Sequence, residues 1–341
     1  METHSTKTRK IILIVCSIIL AASIFIYSKY QSYLKTSVDP LDTTKISFII
    51  KHGQSVREIG DSLKEKGLIR SSMAFYIYVR THGYEKDLIS GRFFLNKSMT
   101  IPEVSITLID PKKAEFIITI QEGLTIKDIE KKLIDLGAAK EGEFISAVKN
   151  FNGWQYYPFL SKENQLKLAI PLEGYIYPDT YFLDPSTFKP GKLIYLGLDN
   201  FEKKWTKILE GETTKGMLAS NSMQEIITMA SIVEKEVQKK SDREIVAGIL
   251  WKRLLKNWTL GADATLLYEK ENRTITEADI NSDSKYNTRK NKGLPPGPIG
   301  NPGTDSILAT IYPKETPYWF YLTNPENGET IYAQTNEEQN T

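Results

Sequence analysis

The first pattern along the chain is an uncharged, mostly apolar run over residues 11–27 that follows basic residues between positions 7 and 10. A helix needs about 20 apolar residues to cross a bilayer, so the run predicts one transmembrane helix near the lower length limit. Basic residues favour the cytoplasmic side, which places positions 1–10 in the cytoplasm and all later domains outside the membrane. A cleaved signal peptide is the alternative, because residues 21–23 are small. The apolar run continues past them, which favours a permanent anchor.

A strand-turn-helix pattern then occurs twice, over residues 49–69 and again over residues 119–139. In each copy a glycine follows the strand, and apolar residues recur at i, i+3 and i+7, which marks one buried helix face. Each helix is expected to begin with a capping box and to end at a glycine. The residues concerned are Ser55, Glu58 and Gly67 in the first copy and Thr125, Asp128 and Gly137 in the second.

Between the two copies, residues 90–110 predict a strand, a turn and another helix. Residues 31–45 are expected to be a linker. The two copies and the segment between them predict a small α+β region at 46–150 with two related halves. The pattern alone favours a spacer that holds a catalytic domain away from the membrane. The functional alternative is a glycan-binding module.

The helical pattern over residues 222–239 carries two glutamates beside an apolar face. At about 100° per residue, Glu234 lies roughly 60° from the centre of that face and Glu236 roughly 100° away on the other side. One helix cannot present both to the same spot, so they are not expected to form a dyad. One is expected to be a working acid, because an apolar wall raises a carboxyl pKa, and the other a structural group paired with Lys or Arg. The alternative is a solvated glutamate beside neighbouring lysines.

A second helix is expected over residues 241–257, with Ser241 and Glu244 as its capping box. The stretch after it is expected to be a loop that carries Asp263 and Thr265.

Residues 293–303 contain four glycines and four prolines, which excludes a helix or a central strand. Long structureless loops in compact domains are usually functional, so this one is expected to wall a long groove. The alternative is a plain surface connection.

The stretch over residues 171–185 combines carboxylates with aromatic rings. Sugars stack their C–H faces on aromatic side chains and hydrogen-bond through their hydroxyls, so the stretch suits a carbohydrate. The alternative is an edge strand with half-buried Tyr and Phe. The side chains concerned are Glu173, Tyr175, Tyr177, Asp179, Tyr181 and Phe182.

The composition narrows the chemistry. The chain has 341 residues and a net charge of +2, so its charge does not indicate a nucleic-acid partner. Its one cysteine is Cys16, and its histidines lie at positions 4, 52 and 82. The sequence beyond residue 82 therefore has no His or Cys for a zinc site or for a Ser-His-Asp or Cys-His arrangement. We expect no metal and no cofactor, and chemistry carried by carboxylates, hydroxyls, amides, lysines or arginines.

Five motifs occur in one order and spacing: EGYIYPDTYF, MASIVEKE, DATLLY, YNT and GLPPGPIGNPG. Together with the N-terminal run they resemble the endolytic murein transglycosylases of the MltG/YceG-like family, over nearly the whole chain. The resemblance implies an α+β protein with an N-terminal transmembrane helix. A small LysM-like α+β subdomain is implied at 46–150, and a larger mixed α+β catalytic domain with a lysozyme-like active-site helix at 151–341.

The implied activity is cleavage of peptidoglycan between N-acetylmuramic acid (MurNAc) and N-acetylglucosamine (GlcNAc) without water, which leaves 1,6-anhydroMurNAc ends. One glutamate donates a proton to the glycosidic oxygen and then takes the proton of the C6 hydroxyl. Aligned on the motif, it is Glu236, with Glu234 as support or as the alternative acid, which the helical wheel favours. The positions implied to bind substrate are Glu173, Tyr177, Asp179, Thr180, Asp263, Thr265, Tyr286 and Asn287.

Several positions depart from the family's pattern but leave the acid in place. Val237 stands where Thr or Ser is frequent, Gly261 where Gln is frequent, and Arg289 where Tyr is frequent. Glu329 and Gln339 stand where histidines are common. These departures favour a second hypothesis, a catalytically silent peptidoglycan-binding scaffold, and a hydrolytic muramidase is the third.

The implied location is the bacterial plasma membrane, crossed once, with the catalytic domain outside the cytoplasm. Peptidoglycan glycan strands are the implied substrate. Cleaving nascent strands at the membrane would end their polymerisation, so peptidoglycan synthases (penicillin-binding proteins) are expected partners.

Overall fold

The chain is a mixed α+β protein in which helices alternate with short strands. Packing divides it into two compact units, residues 1–117 with 182–187 and residues 118–181 with 188–341. The computed structural model describes residues 2–51, 53–184, 187–210, 216–270, 272, 274–324 and 329–339.

The first unit begins with a long apolar helix, α1 (Glu2–Lys35). Its span Ile12–Lys35 contains an 18-residue window with a mean hydropathy of 2.2 and is long and apolar enough to cross a membrane. Near its end, Leu34, Tyr30 and Tyr33 pack against the hydrophobic core of this unit. The helix therefore runs without a break from the apolar segment into the predicted linker.

The rest of the first unit packs helices on a two-stranded sheet. Strand β1 (Ile46–Ile50) pairs antiparallel with β2 (Gly91–Leu95), so that Phe48 lies opposite Phe93. Both rings are fully buried and form the centre of the core. The helices of this unit are α2 (Val56–Glu65), α3 (Ser72–Thr81) and α4 (Ile101–Leu108).

The second unit is centred on α9 (Met223–Glu236), whose residues Ile226–Val233 are all buried. This helix packs against α10 (Lys240–Leu255), α11 (Asp263–Leu267) and α13 (Thr304–Ile311). The remaining sheets pair β3 with β4 and β5 with β6. The remaining elements of the chain are β3 (Phe116–Thr119), α5 (Ile126–Asp135), α6 (Glu143–Lys149), α7 (Lys162–Gln165), β4 (Thr180–Leu183), α8 (Pro190–Glu210), α12 (Glu277–Ile280), β5 (Phe320–Thr323), β6 (Thr330–Ala333) and α14 (Asn336–Gln339).

Both copies of the predicted strand-turn-helix pattern are present. Capping boxes start α2 at Ser55 and α5 at Thr125, as expected. Gly67 and Gly137 follow the two helices with φ of 65° and 66°, the left-handed conformation that ends a helix. The helix of the second copy belongs to the second compact unit. The domain bounds predicted from the sequence remain a prediction.

Three local predictions in the second unit were wrong. Helix α9 ends at Glu236, not at residue 239, because Val237 takes an extended conformation. Helix α10 begins at Lys240 with no side-chain cap, so Ser241 lies inside the helix and forms no capping box. The stretch that starts at Asp263 is the short helix α11 instead of a loop.

The Gly/Pro-rich segment is not a plain surface connection, because most of residues 295–303 are buried. Asn301 makes this burial possible by satisfying backbone groups on two other segments. Its side chain accepts from the Ile176 amide at 2.9 Å and donates to the Leu124 carbonyl at 2.7 Å. The segment therefore supports the interior of the second unit.

Candidate active site

The end of α9 sets the position of the two glutamates. Ser222 and Glu225 form a capping box at its start, and its buried middle fixes it in the core. Glu236 is the last helical residue, because Val237 takes an extended conformation.

Glu236 is held by two hydrogen-bond donors from distant parts of the sequence. The Ala264 amide, in the first turn of α11, donates to its Oε1 at 3.3 Å, and the Tyr321 hydroxyl, on β5, donates to its Oε2 at 3.1 Å. Burial raises the pKa of Glu236, and the two donors act in the opposite direction because they stabilise the ionised form. The Glu236 carboxyl therefore holds its proton more strongly than an ordinary glutamate does. Its ionised form has two hydrogen-bond donors already in position.

Glu236 faces a cavity of about 550 Å³. The Arg253 guanidinium lies in its wall and donates to the carbonyls of Leu260 and Trp319, which fixes the cation in place. At another part of the wall, Arg289 Nε donates to Asp263 Oδ1 at 2.5 Å. The cavity is lined by Lys235, Glu236, Arg253, Gly261, Asp263, Ala264, Leu267, Arg289, Phe320, Tyr321, Leu322, Thr323 and Asn336.

Glu234 lies in a different environment, as the helical wheel predicts. Its Oε1 pairs with Arg243 Nη2 at 2.7 Å, and the two side chains are only 5% and 9% exposed. Its Oε2 accepts from the Gly303 amide at 3.0 Å. Both carboxylate oxygens of Glu234 are thus committed to partners within the protein.

A second cavity, of about 570 Å³, lies beside Glu234 and Arg243. Glu122 also lines it, 3.7 Å from Arg243, and burial raises the pKa of the Glu122 carboxyl. Glu234 and Glu236 therefore line two different cavities, although they are two residues apart.

The sequence matches the YceG-like family over residues 48–341. The chain belongs to the YceG-like family. The resemblance seen in the five motifs is confirmed by this match.

Relatives of this YceG-like chain carry an enzyme name. A protein named endolytic murein transglycosylase from Bacillus subtilis is 31% identical over 330 residues, which cover 90% of this chain and 87% of the relative. One of the same name from Streptococcus pneumoniae D39 is 29% identical, and the match covers 92% of this chain and 60% of that longer protein. The crystal structure of a putative yceG-like protein from Listeria monocytogenes has a TM-score of 0.61 at 29% identity, covering 87% of this chain and 98% of that one.

The substrate residues predicted for this YceG-like chain fall into different places. Asp263 lines the cavity of Glu236. Asp179 and Thr180 line the cavity of Glu234 instead. Tyr177 is only 7% exposed, and its hydroxyl is hydrogen-bonded to Thr304 Oγ1 at 2.5 Å.

Thr265 and Asn287 are fully buried, so they support the cavity wall from behind. Thr265 Oγ1 lies 2.9 Å from Thr288 Oγ1, whose hydroxyl also accepts from the Ala262 amide. Asn287 donates to the carbonyls of Ile280 and Ser282 and fixes the turn after α12. Their polar atoms are committed inside the protein, which does not support the predicted direct contact with substrate.

Glu173 and Tyr286 also lie in the interior. The Glu173 carboxylate accepts from the Ile126 amide at 3.1 Å and from the Tyr268 hydroxyl at 3.1 Å. Burial raises the pKa of Glu173 to about 8. The Tyr286 ring packs on that of Tyr268, with 4.8 Å between centroids, and burial raises its pKa to about 12. Neither residue lines the cavity of Glu236.

Sequence reasoning did not identify Tyr321, Arg253 or Ala264 as members of this site. Arg253 could be expected only as a solvated cation near the end of α10, and Tyr321 only as part of an aromatic strand. The Ala264 amide carries no side-chain signal. The one available hint was that its neighbour Asp263 stands in a recognised motif.

The positions that depart from the family's pattern lie in several places. Val237 is buried and lines the cavity of Glu234, while Gly261 and Arg289 line the cavity of Glu236. Glu329 is exposed, just before β6. The side chain of Gln339 lies outside the described part of the chain.

Proposed function

We propose that this chain is a membrane-anchored endolytic peptidoglycan transglycosylase, which cleaves the MurNAc–GlcNAc bond without water and leaves 1,6-anhydroMurNAc ends. Membership of the YceG-like family and the names of its relatives support the lytic transglycosylase class. The observation that carries the site assignment is the environment of Glu236. This carboxyl faces a cavity, has a pKa raised by burial, and is held by two donors from other segments.

In the first step, protonated Glu236 donates its proton to the glycosidic oxygen. The bond from this oxygen to C1 of MurNAc breaks, GlcNAc leaves with a hydroxyl, and positive charge develops at C1. A raised pKa suits this step because it keeps the acid protonated to a higher pH than an ordinary glutamate. As Glu236 becomes negative, the Ala264 amide and the Tyr321 hydroxyl stabilise the new charge without rearrangement.

In the second step, the Glu236 carboxylate removes the proton of the C6 hydroxyl of the same MurNAc. O6 then bonds to C1 and closes the 1,6-anhydro ring, and Glu236 is protonated again. No water is consumed and no proton is gained or lost overall. One carboxyl thus serves as acid and base, which differs from the two-carboxylate arrangement of most glycosidases.

Glu234 is assigned the supporting role. Its ion pair with Arg243 and its bond to the Gly303 amide join the last turn of α9 to α10 and to the start of α13. This fixes the helix end from which Glu236 extends.

A hydrolytic muramidase is the second candidate, and Asp263 favours it. This carboxylate lines the same cavity as Glu236 and acts on its pKa. A second carboxylate beside the acid could activate water, as in glycosidases with two carboxyl groups. The products distinguish the two reactions, since hydrolysis gives reducing ends.

Helix α1 supports the proposed membrane anchor. With the basic segment at positions 7–10 in the cytoplasm, the catalytic region would lie outside it, close to newly made strands. We propose that cleavage there ends strand elongation beside peptidoglycan synthases. The strand-turn-helix copies would then form a LysM-like region that guides glycan, and α9 a lysozyme-like active-site helix.

The test is to incubate the full chain, in detergent, with purified peptidoglycan and to analyse the products by mass spectrometry. Anhydro ends support the transglycosylase, and reducing ends would favour the muramidase. Binding without cleavage would leave a peptidoglycan-binding scaffold. Glu236→Gln and Glu234→Gln, measured in parallel, assign the acid within the pair.

A further inference from the structure

Arg289 lines the cavity of Glu236, and only part of its guanidinium donates hydrogen bonds to described residues. Its Nε donates to Asp263, and both side chains remain about half exposed, at 43% and 47%. No other described residue accepts a hydrogen bond from its two terminal nitrogens. Two parallel N–H groups on a planar guanidinium match the two oxygens of a carboxylate.

The charges around this cavity favour an anion. Among its lining residues, Arg253 and Arg289 carry guanidinium groups, and Glu236 and Asp263 carry carboxyl groups. When Glu236 carries the proton that it donates, these guanidinium groups outnumber the one remaining carboxylate by two to one. A neutral sugar would not need this excess, whereas a negatively charged substituent would be attracted by it.

Arg253 and Arg289 contribute to this excess in different ways. The nitrogens of Arg253 already donate to the Leu260 and Trp319 carbonyls, so Arg253 supplies charge but few donors to a ligand. Arg289 supplies both charge and donors. Asp263 orients Arg289 from one side and, at the start of α11, keeps it beside the Ala264 amide that binds Glu236.

Stability alone does not account for the Arg289–Asp263 pair. Ion pairs between half-exposed side chains contribute about 0–1 kcal/mol, because water screens them and ordering the side chains costs entropy. A role in binding gives a reason for placing such a pair in the wall of a cavity.

We propose that Arg289 binds a carboxylate carried by the muramoyl residue at the cleavage site, and so selects for charged strands. This proposal rests on the function proposed above. The carboxylate has two possible sources: the lactyl group on C3 of a peptide-free MurNAc, or the stem peptide attached to that group. Either would hold the muramoyl ring beside Glu236 through a charge-assisted bidentate contact.

The experiment compares four defined glycan substrates. Two are peptide-free strands, with lactyl carboxylates either left free or converted to methylamides. Two carry stem peptides, with peptide carboxylates either left free or amidated. The full chain in detergent is assayed as wild type, Arg289→Gln and Arg289→Lys. Lys290→Gln is the matched control, because this neighbouring cation pairs with Asp283 and does not line the cavity.

Arg289→Gln is expected to raise KM about tenfold or more on the charged strands, with little change in kcat and little change on the neutral strands. The KM of Arg289→Lys is expected to fall between those of Arg289→Gln and the wild type. Lysine keeps the positive charge but lacks the two parallel N–H groups of the guanidinium. Lys290→Gln should match the wild type. An effect confined to peptide-free strands assigns the lactyl carboxylate, and one confined to peptide-bearing strands assigns the stem peptide.

If Arg289→Gln changes KM by the same factor on charged and neutral strands, or not at all, the carboxylate proposal is wrong. Binding of the same four strands is also measured by calorimetry, with Glu236→Gln as the background, so that no cleavage takes place. A preference for charged strands that disappears with Arg289→Gln supports the proposal even if the wild type cleaves nothing. Absent cleavage would then count against the proposed function alone.

Discussion

Tyr321 donates its hydroxyl hydrogen to Glu236 Oε2 at 3.1 Å, although 85 residues separate the two in sequence. The bond favours the ionised carboxylate, whereas burial favours the neutral acid. The pKa of Glu236 is therefore set by two opposed effects. This balance suits a group that must both lose and regain a proton in one turnover.

Replacement of Tyr321 by Phe removes the hydroxyl and leaves the ring. The ionised form of Glu236 then loses a donor, so its pKa should rise further. Because the protonated acid starts the reaction, activity persists up to the pKa and falls above it. The alkaline limb of the kcat/KM profile should therefore move to higher pH.

Tyr318→Phe is the matched control, since the Tyr318 ring stacks on Tyr332 and does not contact Glu236. Profiles between pH 5 and about pH 9 are recorded for both variants. An unchanged alkaline limb in Tyr321→Phe, or the same shift in both variants, would contradict the role given to Tyr321.

Substitution of the two glutamates should separate activity from stability. Glu236→Gln removes the transferable proton, and we expect cleavage to fall on the order of 10²–10⁴-fold with Tm unchanged or higher. Glu234→Gln should retain much of the activity. It removes the charge that balances a nine-tenths buried Arg243, so we expect it to lower the free energy of unfolding by about 3 kcal/mol.

The measurements are initial cleavage rates and thermal unfolding of the full chain. If instead Glu234→Gln abolished cleavage while Glu236→Gln remained active, the assignment within the pair would be reversed, as the helical wheel alone suggests.

The elements that the sequence predicts well are those whose signals are local. Ser55 with Glu58 begins a helix through contacts three residues apart, and Gly67 ends it through its own backbone conformation. The helical wheel predicts correctly that Glu234 and Glu236 face different surroundings, because a rigid helix fixes the relative directions of its side chains. The α11 helix, which begins at Asp263, was missed because a helix this short gives almost no periodic signal.

The partners of the site could not be predicted, because they depend on tertiary packing. Nothing near Glu236 in sequence indicates that Tyr321 and the Ala264 amide will reach it. Motif membership identified Thr265 and Asn287 but could not distinguish cavity lining from buried support. Both prove to hold backbone segments in place.

Gly174 and Gly293 offer a test of packing at nearly equal backbone strain. Their φ values are 89° and 90°, so a side chain at either position is strained. A Cβ on Gly174 would lie 2.6 Å from Pro298 Cβ, whereas one on Gly293 would meet nothing within 4 Å. We expect Gly293→Ala to cost about 1–2 kcal/mol of stability from backbone strain. Gly174→Ala should cost about 1–3 kcal/mol more from overpacking against the buried Gly/Pro-rich segment.

Chemical denaturation of both variants, at one pH, gives the difference. Equal losses of stability in the two variants would mean that the contact between Gly174 and Pro298 tolerates an added methyl group. The buried segment would then be packed less tightly than the 2.6 Å approach implies.

Glu173 should make stability depend on pH. Its pKa is raised to about 8 by burial, so the folded chain keeps this carboxyl protonated over a range in which the unfolded chain has lost the proton. The free energy of unfolding should therefore fall as pH rises from the ordinary glutamate pKa of about 4.3 to about 8, and then level off. Glu173→Gln mimics the neutral acid, so it should remove this part of the decline, on the order of a few kcal/mol.

Unfolding of the full chain and of the variant is followed by tryptophan fluorescence at several pH values from 4 to 9. Parallel curves for the two proteins would show that Glu173 is ionised in the folded state, with the Ile126 amide and the Tyr268 hydroxyl outweighing its burial.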